Sequence, residues 1–402
     1  MHTSTTSSLM SNYGRPTITF ERGEGSRLYS IDGREFIDAL SGIAVCGLGH
    51  AHPEIRETLC TQAGKLVHTS NLYGIGVQEE LADNLTKLSG MHNAFFCNSG
   101  AEANEAAIKI ARKYGHQRGI SDPTIVCMYG SFHGRTMGAL SATGNAKVHE
   151  NFSPLLGGFE HIEYGNINEA KSALEKANCV ALMVEPIQGE GGVVIPSRGY
   201  LTRLRELCDE NNALLILDEV QSGIGRTGKW FAFQHEKLLP DVLTVAKALG
   251  NGVPIGACLA KGAASEVLSP GTHGSTFGGN PLACSAALKV LEIIQRDSLL
   301  DRAAKLGRLM VTRLNDVLSD VDGVVEVRGK GLMLGITIDR PCAEIVNICF
   351  ERGLLINVTA GNVVRLLPPL ILSDETAETI AAGVAEAVVF FLSKNEKQIG
   401  KL

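Results

Sequence analysis

The period of the apolar positions changes along this chain, and the changes divide it. Between residues 94 and 260, short continuous apolar runs alternate with stretches of helical spacing. Residues 94–97, 124–128, 180–184, 214–217, 242–246 and 255–260 read as strands that are apolar on both faces, as buried parallel strands are. Residues 99–113 and 201–211 carry the Ala, Leu, Glu, Arg and Lys content of helices. This alternation predicts an α/β layer with a mostly parallel central sheet flanked by helices.

The two ends follow another pattern. Residues 17–21, 27–30 and 35–38, the last after an Asp32-Gly33 turn, predict a small β-meander. From about Ser298 a helix leads to strands at 324–328 and 333–338, a helix at 343–352, strands at 354–357 and 363–366, and a last helix at 374–393. That is an α+β layer. The expected organisation is an N-terminal segment, residues 1–50, that joins a small domain; a large domain, residues 51–297; and a C-terminal small domain, residues 298–402.

Composition narrows the function. A net charge of −6 with no Lys/Arg run argues against nucleic acid or an anionic membrane as the main partner. No apolar run is long enough to predict a membrane span. The Ser/Thr-rich start, Met1 to Ser11, lacks the basic and apolar regions of a signal peptide and reads as a frayed terminus. The ten cysteines show no paired or metal-ligand spacing. They read as free thiols of a reducing cytoplasm, and no metal site is expected.

Five segments could carry chemistry. Asn98-Ser99-Gly100-Ala101-Glu102 follows a strand and opens a helix, where free N–H groups and the helix dipole favour a phosphate. The same residues also read as a capping box, Ser99 with Glu102. Gly223 to Lys229 nearly spells a P-loop, but Trp230 replaces the Ser or Thr that would bind Mg²⁺, so nucleotide binding is rejected. Asp218 ends an apolar strand, where open α/β sheets bind ligands. Lys247 is a lone lysine in an apolar stretch. Such an amine either snorkels to solvent or has a lowered pKa suited to Schiff-base chemistry. His273-Gly274-Ser275-Thr276-Phe277-Gly278-Gly279 is either a turn or a second phosphate clamp. Taken in order with the aromatic Phe132, these form the part list of a pyridoxal 5′-phosphate (PLP) site: phosphate cup, ring stack, acid and amine.

Those segments, with Ser41-Gly42-Ile43-Ala44-Val45, Phe132-His133-Gly134-Arg135-Thr136, Val184-Glu185-Pro186-Ile187-Gln188-Gly189-Glu190-Gly191-Gly192 and Arg365-Leu366-Leu367-Pro368-Pro369, resemble the class III aminotransferases of PLP fold type I. The resemblance runs from about Phe20 to the last helix. It implies that Lys247 holds the cofactor as a Schiff base and moves the proton. Asp218 would pair with the pyridine nitrogen, Gln221 would lie near the ring oxygen, and Phe132 would stack on the ring. Ser99, Gly100 and Ala101 would cup the phosphate, and Thr276 would reach it from the other subunit of a homodimer with shared sites. It further implies amine transfer from N2-acetyl-L-ornithine to 2-oxoglutarate, giving N-acetyl-L-glutamate 5-semialdehyde and L-glutamate, in arginine biosynthesis. Arg135 and Arg365 would bind the carboxylates of glutamate. Glu190 would neutralise Arg365 when the substrate has a single carboxylate. Ser275 would be a contact from the partner subunit. Ile43 stands where ornithine aminotransferases have a Tyr, which favours an acylated donor. The alternatives are ornithine, succinylornithine, succinyl-diaminopimelate and 4-aminobutyrate.

Overall fold

The computed structural model describes residues 8–14 and 16–399. Most of the Ser/Thr-rich start read as frayed lies outside the described residues. The strands are β1 Phe20–Glu24, β2 Arg27–Ser30, β3 Glu35–Asp38, β4 Asn93–Cys97, β5 Thr124–Met128, β6 Phe159–Ile162, β7 Cys179–Val184, β8 Leu214–Asp218, β9 Val242–Val245, β10 Gly256–Ala260, β11 Val324–Lys330, β12 Met333–Ile338, β13 Leu354–Leu355, β14 Asn357–Thr359 and β15 Val363–Leu366. Seven form the central sheet, in the order β4-β10-β9-β8-β7-β5-β6. The fold is α/β, with this mostly parallel sheet flanked by helices.

Alternation along each central strand sends side chains to two cores. Ile125, Cys127, Leu214 and Ile216 meet Ala106, Ala107, Ile110 and Ala111 of helix Gly100–Gln117 on one face. Val126, Met128, Leu215 and Leu217 meet Leu204 and Leu207 of helix Tyr200–Glu210 on the other. Helices on both faces explain why these strands are apolar throughout.

Where structure and sequence reading differ, the causes are local. Residues 255–260 were expected as one more parallel strand, but β10 runs antiparallel to β4 and β9. The short link from Val245 to Gly256 leaves no room for a helical crossover. The first strand was expected at 17–21 and is Phe20–Glu24, because a turn at Gly25, in the left-handed region at φ 55°, pairs Glu24 with Arg27. β6 went unseen because Phe-Glu-His-Ile has no apolar run, as suits a sheet edge. The expected strand at 354–357 splits. Leu354 and Leu355 pair in parallel with β3, joining distant parts of the chain in one sheet, and Asn357 pairs with Arg365 of β15.

Helix Asp374–Ile399 contains a stretch, Asp374–Lys394, long and apolar enough by composition to cross a membrane, which the sequence reading had not expected. Half of that stretch is buried within the protein. Ala377, Ile380, Ala381, Val384, Ala385 and Val388 form a buried stripe at helical spacing, packed with helices Leu299–Leu318 and Glu344–Glu351.

The rejected P-loop segment has a structural use. Arg226 is buried and donates to the carbonyls of Leu332 and Pro368, which ties the loop after β8 to the C-terminal sheet. Beside it, Gly307 lets helix Leu299–Leu318 touch the β11–β12 turn: an added Cβ would lie 2.0 Å from the Gly331 carbonyl oxygen. In a free helix Gly→Ala stabilises by about 1 kcal/mol. Here the clash reverses the sign. Gly307→Ala is expected to destabilise the protein by about 1–3 kcal/mol, read as a lowered thermal midpoint. An unchanged or raised midpoint would refute this packing account.

Candidate active site

The ends of β4, β8 and β9 converge at one edge of the central sheet. A cavity of about 380 Å³ opens there, lined among others by Ser99, Gly100, Ala101, Phe132, Arg135, Glu190, Asp218, Gln221 and Lys247. Nine of the residues singled out from the sequence are thus gathered in one place.

β9 delivers Lys247. The chain leaves the strand at Ala246, and Lys247 adopts φ 45°, a left-handed conformation that side chains rarely take. Burial lowers the pKa of its amine. Glu190, Asp218 and Glu185 oppose that shift, and Arg365 adds to it. Lys247 lines the cavity with its amine desolvated, which speaks against a snorkelling lysine.

Asp218 ends β8 with its side chain almost fully buried. Its Oδ2 accepts from His133 Nδ1 at 2.7 Å and from Asn104 Nδ2 at 2.8 Å, and its Oδ1 accepts from the Val220 N–H at 3.0 Å. Burial disfavours a charged His133, but the hydrogen bond and charge of Asp218 outweigh it and raise the imidazole's pKa. His133 Nε2 is buried and without a partner.

The helix start is capped, though without the expected capping box. Ser99 Oγ accepts from the Glu102 N–H at 3.2 Å. Glu102 reaches back one residue too far for a box, to the N–H of Asn98 at 2.7 Å and its Nδ2 at 2.8 Å. The N–H groups of Gly100 and Ala101 belong to the first helical turn, which has no intrahelical acceptors. Gly100 must be glycine, because a Cβ would lie 2.6 Å from Val220 Cγ1.

Phe132 is held by its N–H on Glu185 Oε1 at 3.0 Å. The Arg135 guanidinium stands 5.4 Å from the Phe132 ring centroid and makes no ion pair among the described residues. Arg365 does not line the cavity: its side chain is wholly buried on β15, against the cavity residues Glu190 and Gln221. Its Nη1 donates to Glu190 Oε1 at 2.7 Å and Gln221 Oε1 at 3.2 Å, and its Nε donates to Asn357 Oδ1 at 3.1 Å. Its Nη2 has no partner. Burial would raise the pKa of Glu190, but the charge and hydrogen bond of Arg365 bring it below the ordinary value.

Ser275 and Thr276 do not line this cavity. Ser275 Oγ accepts from the Gly278 N–H at 3.0 Å and from Asn98 Nδ2 at 3.2 Å, which sets the loop against the phosphate-cup segment. Thr276 is exposed. Ile43 is also exposed and sits at φ 64°, unusual for a β-branched residue. The sequence reading missed Asn104, His133, Thr244 and Asn357 as parts of the site. The available signal was a polar side chain among apolar buried neighbours, which must find partners.

These residues fit pyridoxal 5′-phosphate. The cavity offers an amine of lowered pKa for an aldehyde, a carboxylate for a ring nitrogen, an aromatic wall, and a helix start that only glycine allows. The fold and site together are those of a PLP-dependent enzyme of fold type I. The chain belongs to the class-III aminotransferases: the family model described as "Aminotransferase class-III" matches residues 9–388. It is 52% identical over 392 residues to the acetylornithine aminotransferase of Nitrosomonas europaea, covering 97% of this chain and 100% of that one. Among solved structures it is similar to an ornithine aminotransferase of Toxoplasma gondii (TM-score 0.92, 36% identity, 97% of this chain, 93% of that one), whose active site holds PLP at partial occupancy. It is also similar to the N-acetylornithine aminotransferase of Stenotrophomonas maltophilia (TM-score 0.83, 37% identity, 95% of this chain, 98% of that one). The protein is a PLP-dependent aminotransferase.

Two buried acids near the cavity make a pH prediction. Burial pushes the carboxyls of Glu185 and Glu219 up to about 7 from 4.5. The folded state therefore binds these protons more tightly than the unfolded chain. The resulting stability is full below about 4.5 and is lost as the pH rises through about 7. Urea midpoints of the cofactor-free protein should fall from about pH 5 to about pH 8, and Glu219→Gln should flatten the fall. A midpoint that rises over that interval contradicts the assignment.

Proposed function

We infer that the enzyme transfers the terminal amine of N2-acetyl-L-ornithine to 2-oxoglutarate, giving N-acetyl-L-glutamate 5-semialdehyde and L-glutamate, as in arginine biosynthesis. The relative that is 52% identical carries that activity in its name. The observation that carries the reading within the site is the Glu190–Arg365 pair. With Arg365 neutralised, Arg135 is the cavity cation left without a carboxylate partner among the described residues. That suits a donor with one carboxylate far from its reacting amine. Glutamate has two, and it needs both arginines, each able to bond bidentately. Glu190 must then leave Arg365, and Arg365 Nη2, unpartnered here, is a donor ready for the second carboxylate. Ile43 offers no hydrogen bond to a free α-amine, which supports an acylated donor over ornithine.

When bound, PLP supplies an aldehyde that accepts the amine and a ring that withdraws electrons. We assign the remaining work to named side chains. Lys247 holds the aldehyde carbon and, once displaced, takes and returns the migrating proton; its lowered pKa suits an amine acting as base. Asp218 faces the ring nitrogen as a carboxylate and keeps it protonated. Phe132 covers one face of the ring, and Gln221 lies toward its oxygen. Ser99, Gly100 and Ala101 hold the phosphate. We propose that Thr276, and Ser275 beside it, complete the site of a second copy, so the working form is a homodimer. The exposure of Thr276 and Phe277 in the single chain supports this. We further propose a cytoplasmic location, and a division into residues 1–50, 51–297 and 298–402 as N-terminal segment, large domain and small domain.

Three experiments test the reading. Given an amino donor and no oxo acid, the cofactor absorbance should change by one equivalent per site and stop. Acetylornithine should react faster than succinylornithine, ornithine or 4-aminobutyrate, and a preference for ornithine would overturn the donor. Glu190→Ala should slow the acetylornithine half-reaction about tenfold more than the glutamate half-reaction, because it bares a buried cation only where no second carboxylate covers it. Equal effects on both would remove the switching role. Lys247→Ala should lower turnover by roughly a thousandfold or more.

A further inference from the structure

Asp218 is held by a chain of hydrogen bonds that runs back through helix Gly100–Gln117 to the neighbouring strand. Asn104 lies in the second turn of that helix and is 1% exposed. Its Nδ2 donates to Asp218 Oδ2 at 2.8 Å and to the His133 carbonyl at 2.7 Å. Its Oδ1 accepts from Thr244 Oγ1 at 2.7 Å. Thr244 is fully buried on β9, paired with Asp218 of β8 across the ladder.

The chemistry of these contacts fixes the direction of each. An amide can be turned over with little change of shape, so its orientation is set by its partners. A carboxylate oxygen and a carbonyl oxygen both accept only. Turned over, Asn104 would place its own oxygen against both. Its oxygen must therefore face Thr244, and Thr244 must donate. A buried amide oxygen without that donor would be left unsatisfied. The hydroxyl of Thr244 thus completes an arrangement in which both Asn104 N–H bonds point at acceptors. One of these acceptors is the carboxylate oxygen that His133 also binds.

We propose that Asn104 and Thr244 are positioning residues for amino transfer: Thr244 orients Asn104, and Asn104 with His133 holds Asp218 in one rotamer at the cavity wall. The role is indirect, since Thr244 does not line the cavity. The proposal rests on reading Asp218 as the partner of the cofactor ring.

The test compares Thr244→Val, which keeps the shape and removes the donor, with Thr244→Ser, which keeps the donor. Asn104→Ala, the double variant Thr244→Val/Asn104→Ala, and Asp218→Ala complete the set. PLP is titrated into each cofactor-free protein and its dissociation constant read from the fluorescence of Trp230, the one tryptophan of the chain; kcat and KM for the donor follow on the holoenzymes. Thr244→Val is expected to weaken PLP binding and lower kcat, each about tenfold, with the donor KM within about twofold, while Thr244→Ser stays near wild type. The double variant should be no worse than Asn104→Ala alone, because the two residues act in series. Wild-type affinity and kcat in Thr244→Val, or effects that multiply in the double variant, would overturn the proposal. Should Thr244→Val not fold, the same readings on Asn104→Ala decide it. Loss in Asp218→Ala with none in Thr244→Val rejects the positioning role alone. Retained affinity and turnover in Asp218→Ala reject the underlying reading of the acid.

Discussion

The site depends on how ionisable groups are partnered where they are buried. Asp218, Glu185, Glu190 and Lys247 line the cavity at the carboxyl edge of the central sheet, and Arg365, buried on β15, reaches Glu190. A buried charge without a partner costs several kcal/mol. The protein meets that cost differently for each group, and the differences set the chemistry. Asp218 accepts from three donors, His133, Asn104 and the Val220 N–H. Arg365 has a carboxylate, two amide oxygens, and the two N–H bonds of Nη2 left over. The Lys247 amine makes no hydrogen bond or ion pair among the described residues, and its lowered pKa makes the neutral amine easier to reach.

This distribution links the fold to the reaction. Arg365 belongs to β15 of the C-terminal sheet, whereas Glu190 follows β7 and Gln221 follows β8 of the central sheet. The ion pair therefore spans two sheets. A second tie lies nearby, where Arg226 binds the carbonyls of Leu332 and Pro368. Pro368 is three residues beyond Arg365, so the backbone that carries Arg365 is pinned close to the ion pair. Glu190 is held less firmly. Its side chain is one-third exposed, and its backbone carbonyl accepts from the Thr359 hydroxyl. If one partner of the pair is to move while the other stays, the structure favours movement by Glu190.

Much of this was legible in the sequence, for a physical reason. Strands buried on both faces must be apolar throughout, so the central sheet stood out, and a charged residue at the end of such a run stood out more. Asp218 and Lys247 were visible for that reason. What escaped was whatever depends on partners distant in sequence. β10 read as parallel because an apolar run carries no direction; only the short link before it does. His133, Asn104 and Thr244 are ordinary polar residues until the sheet brings them to Asp218, 85, 114 and 26 positions apart along the chain for the first two and the last respectively. The capping box failed by one residue, since Glu102 can reach either Ser99 or Asn98 and no spacing rule separates them.

The same reasoning bears on why one cavity can serve unlike substrates. A pocket built for glutamate alone would need only two fixed arginines. A pocket built for a donor with one carboxylate would need only one, with an apolar wall where Arg365 lies. The chain keeps the second arginine and supplies its counter-charge from a partly exposed loop carboxylate. On the proposed reading the buried cation is never left bare, since either Glu190 or the substrate would cover it. The unpartnered Nη2 sharpens the point. Glu190 occupies one terminal nitrogen of the guanidinium through a single oxygen, whereas a substrate carboxylate can engage both. A substrate carboxylate that reached both nitrogens would have a bidentate advantage over the resident acid.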